Sequence, residues 1–124
     1  MSENYLNKIK LINKKVYILG GCGLIGLKVV KNILSVGGKA IILDIKKKQI
    51  PENAKFEKFD CSKLKTLNKN FDKIVKKFGC PEVFINCSYP KTNDWGKCSF
   101  NKITLQRMTK NIEIHMNSYA WLAK

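Results

Sequence analysis

The sequence predicts an α/β fold in which a parallel sheet is covered by helices on both faces. Three observations carry this reading. Short apolar runs rich in β-branched residues alternate with amphipathic stretches. Glycines and prolines punctuate the junctions between them. The apolar runs lack the polar alternation of a half-solvated strand, as strands buried on both faces require. The order is β-α-β-β-α-β-α, and right-handed crossovers turn that order into the first half of a doubly wound sheet.

The elements follow in chain order. The first dozen residues read as a short polar lead-in. Val16-Tyr17-Ile18-Leu19 is a compact strand between lysines and glycines. From Leu24 to Val36 the period becomes helical, with Ile25, Val29, Ile33 and Val36 on one stripe and Val30 and Leu34 widening it. Gly37-Gly38 ends that helix. Ala40-Ile41-Ile42-Leu43 is a second buried strand, closing on Asp44, and Lys46-Lys47-Lys48 with Pro51 marks a loop. Phe56 to Phe59 forms a short third strand. Ser62 has the chemistry of a helix N-cap, and Leu64, Leu67, Phe71, Ile74, Val75 and Phe78 then hold helical spacing until Gly79 and Pro81. Val83-Phe84-Ile85 is a fourth strand ending at Asn86. A polar loop with Pro90 and Gly96 leads into a last helix, Ile103 to Lys124.

Composition narrows the function classes. At 124 residues the chain is a single domain, residues 1–124, and its 44% hydrophobic and 27% charged residues are ordinary globular values. The net charge of +15 comes from 24 basic against 9 acidic residues. All the basic residues but Arg107 are lysines, scattered along the chain, so the charge predicts loose attraction to polyanions rather than a specific nucleic-acid site. No RNP-type aromatic run, helix-turn-helix signature or zinc knuckle is present. The five cysteines have no C-x-x-C spacing and the single histidine cannot complete a zinc site, so no metal is expected. An odd, irregular set of thiols suits a reducing, cytoplasmic setting. Met1 to Lys15 has no apolar signal-peptide core, and no apolar run approaches membrane-spanning length.

The chemistry concentrates at the first strand–helix junction. In Gly20-Gly21-Cys22-Gly23-Leu24-Ile25-Gly26 the glycines at 20, 23 and 26 allow a tight turn, close approach of a pyrophosphate, and close helix–strand packing. The helix that opens at Leu24 and Ile25 offers free N–H groups and its positive dipole end to phosphates. Asp44 ends the second strand 18 residues after Gly26, where a carboxylate can accept both ribose hydroxyls of an adenosine and repel a 2′-phosphate. That pattern is a Rossmann-type dinucleotide site which favours NAD over NADP, with Lys46 to Lys48 able to soften the discrimination. The bland alternatives are a ligand-free glycine turn and a strand-end Asp capping a turn.

At this point the sequence resembles the short-chain dehydrogenase/reductase family over nearly its whole length. Leu19 to Gly26 is similar to the family's cofactor loop, with Leu19 in place of the usual Thr. Asp60-Cys61 resembles the family's Asp and small residue beside the adenine; Asp60 could equally cap the following helix. Lys77-Phe78-Gly79 and Val83 to Asn86 resemble the run into the family's N-N-A-G motif, of which Asn86 is kept while Cys87, Ser88 and Tyr89 replace the rest. The stretch from Tyr89-Pro90-Lys91 to Gly96 resembles a bacterial branch linked to flagellin and surface-glycan modification. The resemblance implies hydride transfer between NAD(H) and an alcohol or carbonyl, on a small-molecule substrate, with a sugar-derived metabolite as the expectation. It places Gly20, Cys22, Gly23, Leu24, Ile25, Gly26, Asp44, Asp60, Cys61, Asn86 and Ser88 around the cofactor.

On the last helix Leu105, Met108, Ile112, His115, Tyr119 and Leu122 form one stripe and Ile103, Ile114 and Trp121 a second, which predicts burial on two sides. By resemblance this helix pairs subunits, so self-association is expected. The family carries an Asn here that supports a proton relay. In one register His115 replaces it and is the candidate catalytic residue; in the other Asn117 is the Asn itself. A hydrogen-bonded core histidine is the plainer reading of His115. The family's catalytic Ser and Tyr-x-x-x-Lys follow this helix, and no Tyr in these residues has Lys four positions later. The expectation is therefore a C-terminally truncated dinucleotide-binding domain, inactive alone and needing a complementing chain. A non-catalytic NAD-binding or interaction module is the alternative.

Overall fold

A computed structural model describes residues 10–124. The elements are β1 (Lys15–Leu19), α1 (Leu24–Ser35), β2 (Lys39–Asp44), β3 (Lys55–Lys58), α2 (Leu67–Phe78), β4 (Val83–Asn86) and α3 (Leu105–Ala123). Short 3-10 turns precede α2 at Leu64–Thr66 and α3 at Trp95–Lys97 and Phe100–Lys102. All strands run parallel in the order β3-β2-β1-β4. The expected α/β class and element order are therefore present. Most of the polar lead-in falls on residues 1–9, outside the described residues, while Leu11 packs against the core and its N–H donates to Val36 O at 3.1 Å.

Pleat alternation divides the core into two layers. Tyr17, Leu19, Ile41 and Leu43 face α2 and the end of α3, where Phe59, Leu67, Ile74 and Leu122 complete one cluster. Val16, Ile18, Ala40 and Ile42 face α1 and pack on Val30 and Cys22. Each fully buried aliphatic side chain contributes about 1.5–3 kcal/mol, so β1 and β2 anchor the fold. Helix α1 ends in a Schellman motif: Gly37, at φ +82°, donates to Leu34 O, and Gly38 donates to Ile33 O. Tyr17 is buried and its hydroxyl donates to Gly79 O at 2.5 Å, which ties the α2 exit to the sheet.

Three expectations are corrected. The third strand lies one residue earlier than expected, at Lys55–Lys58, leaving Phe59 to fill the core. Ser62 is not the N-cap of α2, because a 3-10 turn intervenes and the helix opens after Thr66. Ser62 instead donates its N–H and hydroxyl to Asp60 Oδ1, at 3.0 and 2.6 Å. The apolar stripe of α3 is largely exposed: Leu105, Met108 and Ile112 face solvent, as do Met116 and half of Trp121. Its buried residues are Asn111, Ser118 and Leu122. Periodicity located the helix but not its inner face, because polar residues there find partners that the sequence pattern does not reveal.

Candidate functional site

The carboxyl ends of β1 and β4 diverge to opposite sides of the sheet through α1 and α3. This is the switch point at which doubly wound sheets open a crevice. Gly20 opens the loop there with φ +75°, a conformation that suits glycine, and its N–H donates to Leu43 O at 2.7 Å. A Cβ on Gly20 would stand 2.8 Å from the Cys87 carbonyl and Ser88 Cα, so this loop and the segment after β4 are in direct contact. A Cβ on Gly26 would meet Gly20 O at 2.2 Å, which forces glycine where α1 presses on the loop. The first intrahelical bond runs from Leu27 N–H to Gly23 O at 2.8 Å. The N–H groups of Leu24, Ile25 and Gly26 therefore precede the helical ladder, at the positive end of the α1 dipole.

Asp44 stands beside this loop. Its Oδ2 accepts the Cys22 N–H at 2.9 Å and its Oδ1 accepts the Ile45 N–H at 2.7 Å. Each carboxylate oxygen keeps a further lone pair for a hydroxyl donor. A groove of about 740 Å³ flanks the loop, lined by Cys22, Gly23, Leu24 and Leu27 on one side and Lys48 to Pro51 on the other.

Of the remaining expected residues, Asp60 and Cys61 follow β3 and Asn86 and Ser88 lie at the end of β4, and Cys61 and Ser88 meet. Asp60 does not cap the following helix: its Oδ1 accepts from Ser62, in the turn before the 3-10 segment, and neither that segment nor α2 has a side-chain cap. Cys61 is buried with Sγ 3.7 Å from Ser88 Oγ; burial pushes its thiol above the ordinary value, partly opposed by the Ser88 contact. Asn86 is exposed and its Oδ1 accepts the Ser88 N–H and hydroxyl, at 3.0 and 2.7 Å. The side-chain carbonyl of Asn86 thus shapes its own turn.

His115 is half-buried between two tyrosine rings, with centroids 4.6 Å from Tyr89 and 5.7 Å from Tyr119. Its Nδ1 lies 2.9 Å from Asn111 O. A carbonyl only accepts, so Nδ1 carries the proton, and the buried Nε2 has no partner among the described residues. Asn117 is exposed and makes no such contact. Tyr119 donates its hydroxyl to Ser88 O; burial raises its pKa, and the Ser88 bond opposes that rise.

One residue that the sequence pattern did not single out, Asn111, completes the picture. Arg107, Asn111, His115 and Tyr119 recur at i+4 spacing along one face of α3, and each touches the segment that follows β4. The i+4 spacing is visible in the sequence, but His115 and Tyr119 read there as members of an apolar stripe, and Asn111 as a neutral polar residue.

No family profile matches the chain. Among curated proteins it is 28% identical over 120 residues to post-translational flagellin modification protein A of Campylobacter coli, covering 88% of this chain and 47% of that protein. Among solved structures it superposes with a TM-score of 0.74 at 21% identity on a short-chain dehydrogenase of Leptospira borgpetersenii with bound NAD+, over 99% of this chain and 47% of that one. An aldohexose dehydrogenase of Thermoplasma acidophilum gives 0.70 at 18%, over 90% of this chain and 42% of that one. A 4-hydroxyisoleucine dehydrogenase complexed with NADH gives 0.71 at 20%, over 90% and 47%. The chain thus spans about half the length of the relatives it matches, and over that half it has the fold of short-chain dehydrogenases. The family resemblance of the sequence is matched by the fold.

Proposed function

We propose that these residues form the cofactor-binding half of an oxidoreductase of the short-chain dehydrogenase type. The complete site would move a hydride between NAD(H) and an alcohol or carbonyl. The observation that carries this reading is the glycine loop at the switch point, with the free N–H groups of α1 at one end and Asp44 fixed beside it. In this reading the N–H groups of Leu24, Ile25 and Gly26 bind the pyrophosphate, and Asp44 accepts the adenosine ribose hydroxyls. Asp60 and Cys61 border the adenine, and Asn86 and Ser88 border the path toward the nicotinamide. When bound, the cofactor supplies the hydride chemistry, and the chain binds and orients it.

His115 is the candidate catalytic residue in this scheme, because Nε2 is a fixed acceptor lone pair left without a partner. A sugar-derived substrate is supported by one fold neighbour, an aldohexose dehydrogenase. Five free thiols favour a reducing, cytoplasmic setting.

Titration with NADH and NADPH by fluorescence or calorimetry tests the reading. NADH is expected to bind more tightly, because the Asp44 carboxylate would meet a 2′-phosphate. Equal or tighter NADPH binding overturns the role of Asp44, and binding of neither overturns the cofactor site.

A further inference from the structure

We propose that Asn111 is a positioning residue that sets one wall of the cofactor crevice by clamping the segment after β4 onto α3. The inference rests on the cofactor reading above and assigns the site a residue that lies outside its first-named set.

Successive turns of α3 hold successive residues of this segment. Tyr119 donates to Ser88 O. His115 packs against the ring of Tyr89. Asn111 grips Thr92, and Arg107 pairs through Nε with Asp94 at 2.8 Å. The contacts differ in strength. The Arg107–Asp94 pair is substantially solvent-exposed and contributes little. Asn111 is 2% exposed and has its polar atoms paired. Its Oδ1 accepts the Thr92 N–H at 3.0 Å. Its Nδ2 donates to Thr92 Oγ1 and to Arg107 O, both at 2.9 Å. A buried amide in a complete network holds its partner in one geometry, and removing it strands the Thr92 N–H and hydroxyl.

The clamp reaches the cofactor site through the backbone. Residues 87 and 88 stand against Gly20 so closely that no side chain fits between. A shift of the segment between Ser88 and Thr92 therefore moves first the wall that carries Ser88 and Tyr89, while Asp44, held by the Cys22 and Ile45 N–H groups, keeps its place. Tyr89 stands where the family resemblance has glycine, so this wall has a ring to place, and the clamp places it on His115.

The experiment compares Asn111→Ala and Thr92→Val with the unaltered chain, titrating NADH, which spans the crevice, and ADP, which reports only the adenosine and pyrophosphate end. Thr92→Val removes the hydroxyl but keeps the backbone N–H, so it remains informative if Asn111→Ala folds poorly. Asn111→Ala should weaken NADH about tenfold and Thr92→Val severalfold, with ADP within about twofold of the unaltered chain. The double variant should fall short of the product of the two effects, because both remove one interaction. Equal losses for NADH and ADP would show Asn111 to be a support of the fold alone and overturn the proposal, as would unchanged NADH binding. An unaltered chain that binds neither ligand would instead overturn the cofactor reading, and the proposal with it.

Discussion

Gly26 shows how little freedom a residue at this site has. The nearest backbone atom would lie 2.2 Å from an added Cβ, so Gly26→Ala must part α1 from the glycine loop. The expected cost is about 1–3 kcal/mol, together with loss of NADH binding, read by urea unfolding and by titration. Asp44→Ala acts on two functions. It should narrow the preference for NADH over NADPH, and it strands the Cys22 N–H that Oδ2 accepts, so both affinities should fall while their ratio approaches one. Cys61, Cys87, Tyr17 and Tyr119 all have raised pKa values, in each case chiefly through burial. A group that holds its proton more tightly when folded stabilises the fold below its unfolded pKa, and that contribution is lost as pH rises through the folded pKa. Stability should therefore hold from neutral pH to about 8.5 and fall above it, thiols first and tyrosines above about 10. Urea midpoints measured at pH 7.5, 9 and 10.5 check this. A midpoint that rises with alkalinity contradicts the assignment.

At the scale of elements, α3 separates apolar composition from apolar burial. Ile112 and Met116 are more than half exposed, at 53% and 65%, while Leu122 is 8% exposed and sits in the core cluster. Ile112→Lys and Met116→Lys should each change the stability of the isolated chain by less than about 0.5 kcal/mol, whereas Leu122→Ala should cost about 2–4 kcal/mol. A large loss from Ile112→Lys would show that the outer stripe is covered in solution, and a concentration-dependent midpoint would identify a second copy as the cover. The inner face is held by the Asn111 network, so α3 docks through hydrogen bonds along its first turns and through Leu122 near its end.

At the scale of the whole molecule, β4 occupies the edge of the sheet, with Val83, Phe84 and Ile85 only partly buried. An edge carrying apolar residues on both faces invites another strand. The net charge of +15 opposes self-association at low salt, so association should increase as salt screens it, which size-exclusion chromatography across ionic strength can follow. The same charge makes nucleic-acid binding weak, sequence-blind and steeply salt-dependent; a sequence-specific complex stable at physiological salt would contradict it. A polypeptide of these 124 residues should show no NADH turnover on alcohol or carbonyl panels, because no tyrosine in it has the lysine partner that tunes a proton donor. Clear turnover would place the acid–base chemistry on residues such as His115.

What the sequence determined by itself was everything governed by local pattern. Unbroken apolar runs at Val16 and Ala40 are buried between two helical layers, so the α/β class follows from them. The places of Gly20 and Gly26 are backbone requirements, legible because only glycine meets them. What the tertiary structure decided were the pairings between distant residues. Ser62 has the chemistry of a cap, yet it bonds back to Asp60 because a 3-10 turn comes first. Asn111 reads as a neutral polar residue, and its role exists only because Thr92, 19 positions away, is brought against it. The face of α3 that turns inward was decided the same way. Apolar periodicity measures the gain from leaving water, but a buried polar face gains from partners, and which partners arrive is settled only once the chain has folded.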